Sequence, residues 1–360
     1  MELTPEDRLR LNVLLASKPL AIRIDESRMR VHALSDRGEA SLDLHPQGSP
    51  ERYLRLVREL ISGQVLGSPG GYPVYIRRWT RMGQMRDQSL QQLLLLGEPE
   101  AVVAAVCAPG LDDETARRAW WAMEDPANAR HMLANPRVAR GTMGPVLARY
   151  LLDYLPFEAE TEAMMESVRA MLQPGLLSDE EVVALWKKAG RKPAYLVGFL
   201  AGRPDAIPAG RAGRPIDLGG RDDPVARAWA RTRSAAGQNW LSCLDAILAK
   251  PPTQDVVFAA LECTRERFSS LRPEGDPDLA YPDLAAEADA WVASLTTDGL
   301  GETPEARAEL RGLRILSGVG YGILRPLLRD STAIGSLMRR KLEPAIGPLR
   351  GEIARLLGRA

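Results

Sequence analysis

From about residue 87 onward the chain is punctuated roughly every dozen residues. Gly97, Pro109-Gly110, Asp125-Pro126, Pro156 and Pro174-Gly175 each close an apolar stretch of helical period. A chain broken this often is expected to favour short helices over long ones. It can build short amphipathic ones that bury their stripes by stacking. The pattern predicts helices over 90–96, 98–107, 112–123, 144–155 and 158–172. Another should be opened by the capping box Ser178-Asp179-Glu180-Glu181. The expected fold class is mainly α: an α-solenoid-like stack of short helical hairpins, without the strict period of a repeat family.

The first sixty-six residues read differently. Thr4-Pro5-Glu6-Asp7 has the cap, the proline at the first helical position and the acid that open a helix. After Pro19 the period falls to two: Ile22 and Ile24, then Met29 and Val31, then Leu42 and Leu44 alternate with polar residues, and Asp36-Arg37-Gly38 supplies a turn. This predicts a small N-terminal antiparallel β-meander over 20–45, apolar on one face and resting on neighbouring helices. Ser49-Pro50-Glu51 then opens a helix carrying Leu54, Val57, Leu60, Ile61 and Val65 as its stripe.

Residues 202–224 hold five glycines and four prolines and read as a linker or long surface loop. The expected organisation is therefore residues 1–66, a helical-hairpin array over 67–201, a linker over 202–223 and a C-terminal helical region over 224–360. Stripes such as Leu241/Leu244/Leu248 and Ile346/Leu349/Ile353 support that last region. Lys+Arg and Asp+Glu both number 47, and a chain of zero net charge is a poor general polyanion binder. Nucleic acid is disfavoured as a partner on that ground. Only six of the cations are lysine, an arginine excess spread so evenly that it reads as genomic base composition. The charged N-terminus predicts no secretory leader. The uncharged stretch Ile61–Ile76 is broken by Pro69, Gly70, Gly71 and Pro73, so no membrane span is expected and the protein should be cytoplasmic.

No catalytic, cofactor or metal motif emerges. The glycines at 67–73 lie in the order helix–loop–extended with no following lysine, the wrong context for a phosphate loop. His32, His45 and His131 lack ligand spacing and read as structural. Cys243 and Cys263, placed on the first and second helices after the linker, are candidate sulfur-carrying thiols only if some neighbour lowers a pKa; Cys107 reads as a small buried hydrophobe. The densest candidate is Arg77, Arg78, Arg81 and Arg86 around Trp79, a possible rim for an anion or an acidic partner. An Arg-covered surface anchored by Trp79 is the favoured alternative. Gly70-Gly71 should turn tightly with a positive φ and aim Tyr75 and Trp79 at the junction of sheet and helices. Trp120-Trp121 beside Arg117 forms a candidate partner contact, although adjacent positions on a helix diverge by about 100°, and packing between neighbouring helices explains the pair as well.

Taken together, MELTPEDRLRLNVLL, AIRIDES, YLRLVRELISGQVLGSPGGYPVYIRRWTRMGQMRD, QLLLLGEPEAVVA, RRAWWAM, MGPVLARYLLDYLPFE and LQPGLLS resemble the DsrS family, encoded with the dissimilatory sulfite reductase genes of sulfur-oxidising bacteria. The resemblance runs over about the first 200 residues and only loosely beyond; SPGGYPVYIRRWTRMGQMR is its most specific part. The family has no established catalytic residue or cofactor, so no site residue is carried over. It implies a setting: cytoplasmic sulfur oxidation, in an accessory or regulatory role beside the reductase and its sulfur-relay proteins. A non-enzymatic protein acting through protein–protein contacts is the expectation. An RNA-binding post-transcriptional regulator and an undescribed enzyme are the alternatives.

Overall fold

Thr4 starts the first helix by accepting the Asp7 N–H at its side-chain oxygen, and Pro5 occupies the first turn, where no N–H is missed. The computed structural model describes residues 2–67, 87–295, 301–328 and 333–359. Within them the chain is mainly helical with one small three-stranded antiparallel sheet. It forms two compact units, Met1–Tyr154 and Leu155–Ala360.

In the first unit, α1 (Pro5–Ala16) precedes β1 (Ala21–Asp25), β2 (Arg30–Ser35) and β3 (Gly38–Asp43), paired in the order β1-β2-β3. The register Ile24↔Val31↔Leu42 puts the alternating apolar residues on one face. That face packs with Leu11 of α1 and with Tyr53, Leu54, Val57 and Ile61 of α2 (Pro50–Leu66) into one core. Met29 and Leu44 lie just outside the strands. Met29 takes a positive φ of 50° in the β1–β2 turn, and its carbonyl accepts the Leu44 N–H at 2.8 Å.

Among the described residues this unit also has α3 (Asp87–Leu93), α4 (Pro99–Val106), α5 (Asp113–Ala122), α6 (Pro126–Ala134), α7 (Pro136–Ala139) and α8 (Met143–Tyr154). Asp112, Asp125 and Asn135 cap the starts of α5, α6 and α7. The Leu94 carbonyl accepts the Ile22 N–H and so covers the free edge of β1. Gly97 allows that approach: it has φ +67°, and a Cβ there would lie 2.9 Å from Ile24.

The second unit contains α9 (Thr161–Met171), α10 (Asp179–Ala189), α11 (Pro193–Gly202), α12 (Pro224–Arg233), α13 (Ala235–Ala249), α14 (Gln254–Arg267), α15 (Tyr281–Leu295), α16 (Pro304–Ser317), α17 (Tyr321–Leu328) and α18 (Gly335–Leu356). Helix α11 is buried on every side from Ala194 to Leu200 and is packed by α9, α10, α13 and α14. The Gly/Pro-rich segment at 203–223 has no regular element and lies within this unit, with Ile207 buried. Cys243 and Cys263 belong to the second and third helices after it. Ser234 ends α12 and caps α13, splitting into two helices a stretch that reads as one.

Arginine ties this unit together. Glu309 of α16, 2% exposed, accepts from Trp229 Nε1 at 2.6 Å, from Arg233 Nε and Nη2 at 2.9 Å and from Arg214 Nη1 at 3.1 Å. Arg214 also donates to the Leu356 carbonyl at the end of α18. Glu287 is shared by Arg272 and Arg314, and Glu352 by Arg311 and Arg355. The forked, always-charged guanidinium suits these multidentate pairings where a lysine would not. The arginine excess therefore has a structural use in this fold.

Candidate functional site

The Arg77, Arg78, Trp79, Arg81 and Arg86 strip lies outside the described residues, as do Gly70-Gly71 and Tyr75. The tryptophan pair of α5 is described, and its two rings separate as helix geometry requires. Trp120 is buried and meets Tyr150 of α8 edge to face, with centroids 4.7 Å apart. Trp121 lies against the polar face of the sheet. Its Nε1 donates to Glu39 at 3.3 Å, its carbonyl accepts from Arg23, and the Arg23 guanidinium stacks 5.0 Å from its ring. Glu39 also pairs with His32 Nδ1 at 2.9 Å. Burial works against the Glu39 charge, but the bonds from Trp121 and His32 outweigh it and hold the carboxyl below its ordinary range. Arg117 forks onto Glu114 at 2.7 and 2.8 Å. That bond, opposed by burial and aided by Arg118, lowers Glu114 to about 2.

Both inner thiols are held in the protonated form. Cys243 is buried and directs its sulfur at the Leu196 carbonyl; burial, and then the nearby Cys263, push its pKa above the ordinary range. Burial, and then Glu266, raise Cys263 to about 11. Cys107 is exposed at the end of α4. Among the described residues no group of three or more His, Cys, Asp or Glu side chains could hold a metal ion, and no helix is long and apolar enough to cross a membrane.

Two polar clusters escape a reading along the sequence. The first is a clasp in the first unit. Asp7, fully buried, accepts from the Tyr53 hydroxyl and from the His45 N–H at 2.8 Å, and it pairs with His45 Nδ1 at 3.0 Å. Thr4 completes it through the Tyr53 hydroxyl at 3.2 Å. Its long-range bonds span 38 to 49 positions, and the bonds run within the set, which makes it structural.

The second cluster surrounds Asp205 in the second unit. Arg231, in the last turn of α12, places Nη2 at 2.9 and 3.0 Å from the two Asp205 oxygens. Arg267, the last residue of α14, places its Nη2 at 3.1 Å from Asp205 Oδ1. Its guanidinium lies 5.0 Å from the ring of the buried Trp240, and its side chain is only 5% exposed. Asp205, Arg231 and Arg267, with Arg227, Thr232, Phe268 and Ser270, line a recess of about 350 Å³. A second recess of about 370 Å³ shares Arg231, Arg267 and Ser270 and adds Cys263 and Glu266. Burial opposes ionisation of Asp205, yet Arg231 and Arg267 outweigh it and lower its pKa. Arg267 is itself lowered, by burial and then by the like charge of Arg231. No local motif announces this recess, because 205, 231 and 267 meet only through the packing of three separate segments. An aspartate in the loop between Pro204 and Pro208 is the faint signal available.

No family model matches the chain, and no curated protein or solved structure matches it.

Proposed function

We propose that this protein is a non-enzymatic accessory or regulatory component of dissimilatory sulfur oxidation, acting through contacts with proteins of the sulfite reductase and sulfur-relay system. The setting comes from the resemblance to DsrS over about the first 200 residues. The observation that carries the accessory role is the state of the inner thiols. A sulfur relay runs through a thiolate, which is the nucleophile, whereas burial keeps Cys243 and Cys263 as thiols. For these two thiols that favours a place beside the relay over one within it. The test is affinity capture with the full chain as bait in sulfur-oxidising cells grown on reduced sulfur. Enrichment of a reductase subunit or relay protein over an unrelated bait is the expected result, and recovery of none removes the reading. A salt-sensitive RNA complex lost on Arg78→Ala/Arg81→Ala would replace it with the RNA-regulator alternative.

A further inference from the structure

The recess at Asp205 is unbalanced in charge and in hydrogen bonds. Three guanidinium groups, those of Arg227, Arg231 and Arg267, line it, against the single carboxylate of Asp205. Arg227 has an outside partner in Asp222, and Glu266 belongs to the adjoining recess. Among the described residues Arg231 and Arg267 share Asp205 as their one acidic partner. The Arg267 side chain is 95% buried by its 5% exposure, and its Nη1 has no hydrogen-bond partner among the described residues. An incompletely bonded buried guanidinium is costly, and two like charges on one carboxylate add to that cost. Helix C-termini at both arginines offset only part of it. The element that does bond them is a loop carboxylate, 57% exposed.

We propose that this recess binds a small doubly charged oxyanion of the phosphate or sulfate type, and that Asp205 occupies the same donors when the anion is away. A tetrahedral anion offers three or four acceptor oxygens where a carboxylate offers two. It could take the Nη2 donors of Arg231 and Arg267 that Asp205 now occupies and reach Ser270 on the rim. Its two charges match the pair of arginines once Asp205 turns outward. Asp205 thus acts as a tethered competitor, present at an effective concentration of order mM. The inference concerns the ligand of this recess and holds whatever proteins the chain contacts.

The experiment uses the full chain, with calorimetric titration and thermal melts in sodium phosphate, sodium sulfate, sodium acetate and sodium chloride at matched ionic strength. Both oxyanions stabilise most folds by exclusion, so the quantity read is the difference between wild type and Arg231→Gln, a change at a half-exposed side chain. Phosphate or sulfate at several times Kd should raise the wild-type Tm by about 2–4 °C more than that of Arg231→Gln. Asp205→Asn, which removes the competitor, should tighten binding about tenfold. The proposal is overturned if wild type and Arg231→Gln respond alike. It is equally overturned if acetate matches the oxyanions, or if Asp205→Asn folds and binds no more tightly than wild type; in each case Asp205 is only a clamp between loop and helices.

Discussion

The Tyr53 hydroxyl donates to Asp7 at 2.5 Å, and both side chains are closed off from solvent. The bond joins the first turn of α1 to α2, and His45, just past the end of β3, closes onto the same carboxylate. Tyr53→Phe keeps the ring in the core and leaves a buried carboxylate short of a donor. The expected loss is about 1–3 kcal/mol, read in urea as a lower midpoint with an unchanged slope.

The clasp sets a pH dependence. Burial raises Asp7, but the bonds from the His45 N–H, the Tyr53 hydroxyl and the His45 ring hold it below 3.8. His45 is raised above 6.5 by its bond to Asp7 and the Asp7 charge. The histidine contribution is fully present below 6.5 and fades as pH rises through its folded pKa; the aspartate contribution is present above 3.8 and fades as pH falls through its own. The stability gap between wild type and His45→Gln should therefore be widest between the lowered Asp7 pKa and 6.5, and narrow as pH rises through the raised pKa of His45. A gap that grows with rising pH contradicts the pairing.

Two glycines inside helices should respond to alanine with opposite sign. A Cβ at Gly63 in α2 meets nothing within 4 Å. Gly63→Ala should stabilise by about 0.5–1 kcal/mol through helix propensity. At Gly237 in the first turn of α13 a Cβ would lie 2.2 Å from the Arg231 carbonyl oxygen and 2.5 Å from that of Thr232. Backbone cannot yield as a side-chain tip does, so Gly237→Ala should cost about 2–3 kcal/mol or more. Paired melts of the two variants check both.

The thiols should label in the order of their burial. With a disulfide reagent at about pH 8, Cys107 is expected to react first and Cys263 slowly. Cys243 should react only at the rate of unfolding. Rapid reaction of Cys243 in the folded protein would reopen a role in sulfur transfer.

What was legible along the sequence was what is local. Thr4-Pro5, Ser49-Pro50 and the Ser178/Glu181 box cap helices where capping chemistry says they should. The period of two at 20–45 marks a real meander. Helix α11 was not legible, because burial on every side leaves no stripe to find. The short helix expected around His131 is α6, started by Asp125-Pro126, whereas the four-residue α7, started by Asn135-Pro136, is too short to carry a stripe. Trp121 could be separated from Trp120 by angle alone, but its seat on Arg23 and Glu39 depends on strand register. The Asp7 clasp and the Asp205 recess are wholly tertiary.

Glu309 has a kinetic consequence. One carboxylate receives donors from the 203–223 loop, through Arg214, and from α12, through Trp229 and Arg233. Arg214 and Gln238 both reach the Leu356 carbonyl at the far end of the chain. None of these parts can open without stripping a buried charge of its partners, so the usual freedom of a glycine-rich loop and of a C-terminal turn is withdrawn. Amide exchange should show them as a single cooperative unit, with Arg214, Trp229 and Leu356 protected to the same opening free energy and released together.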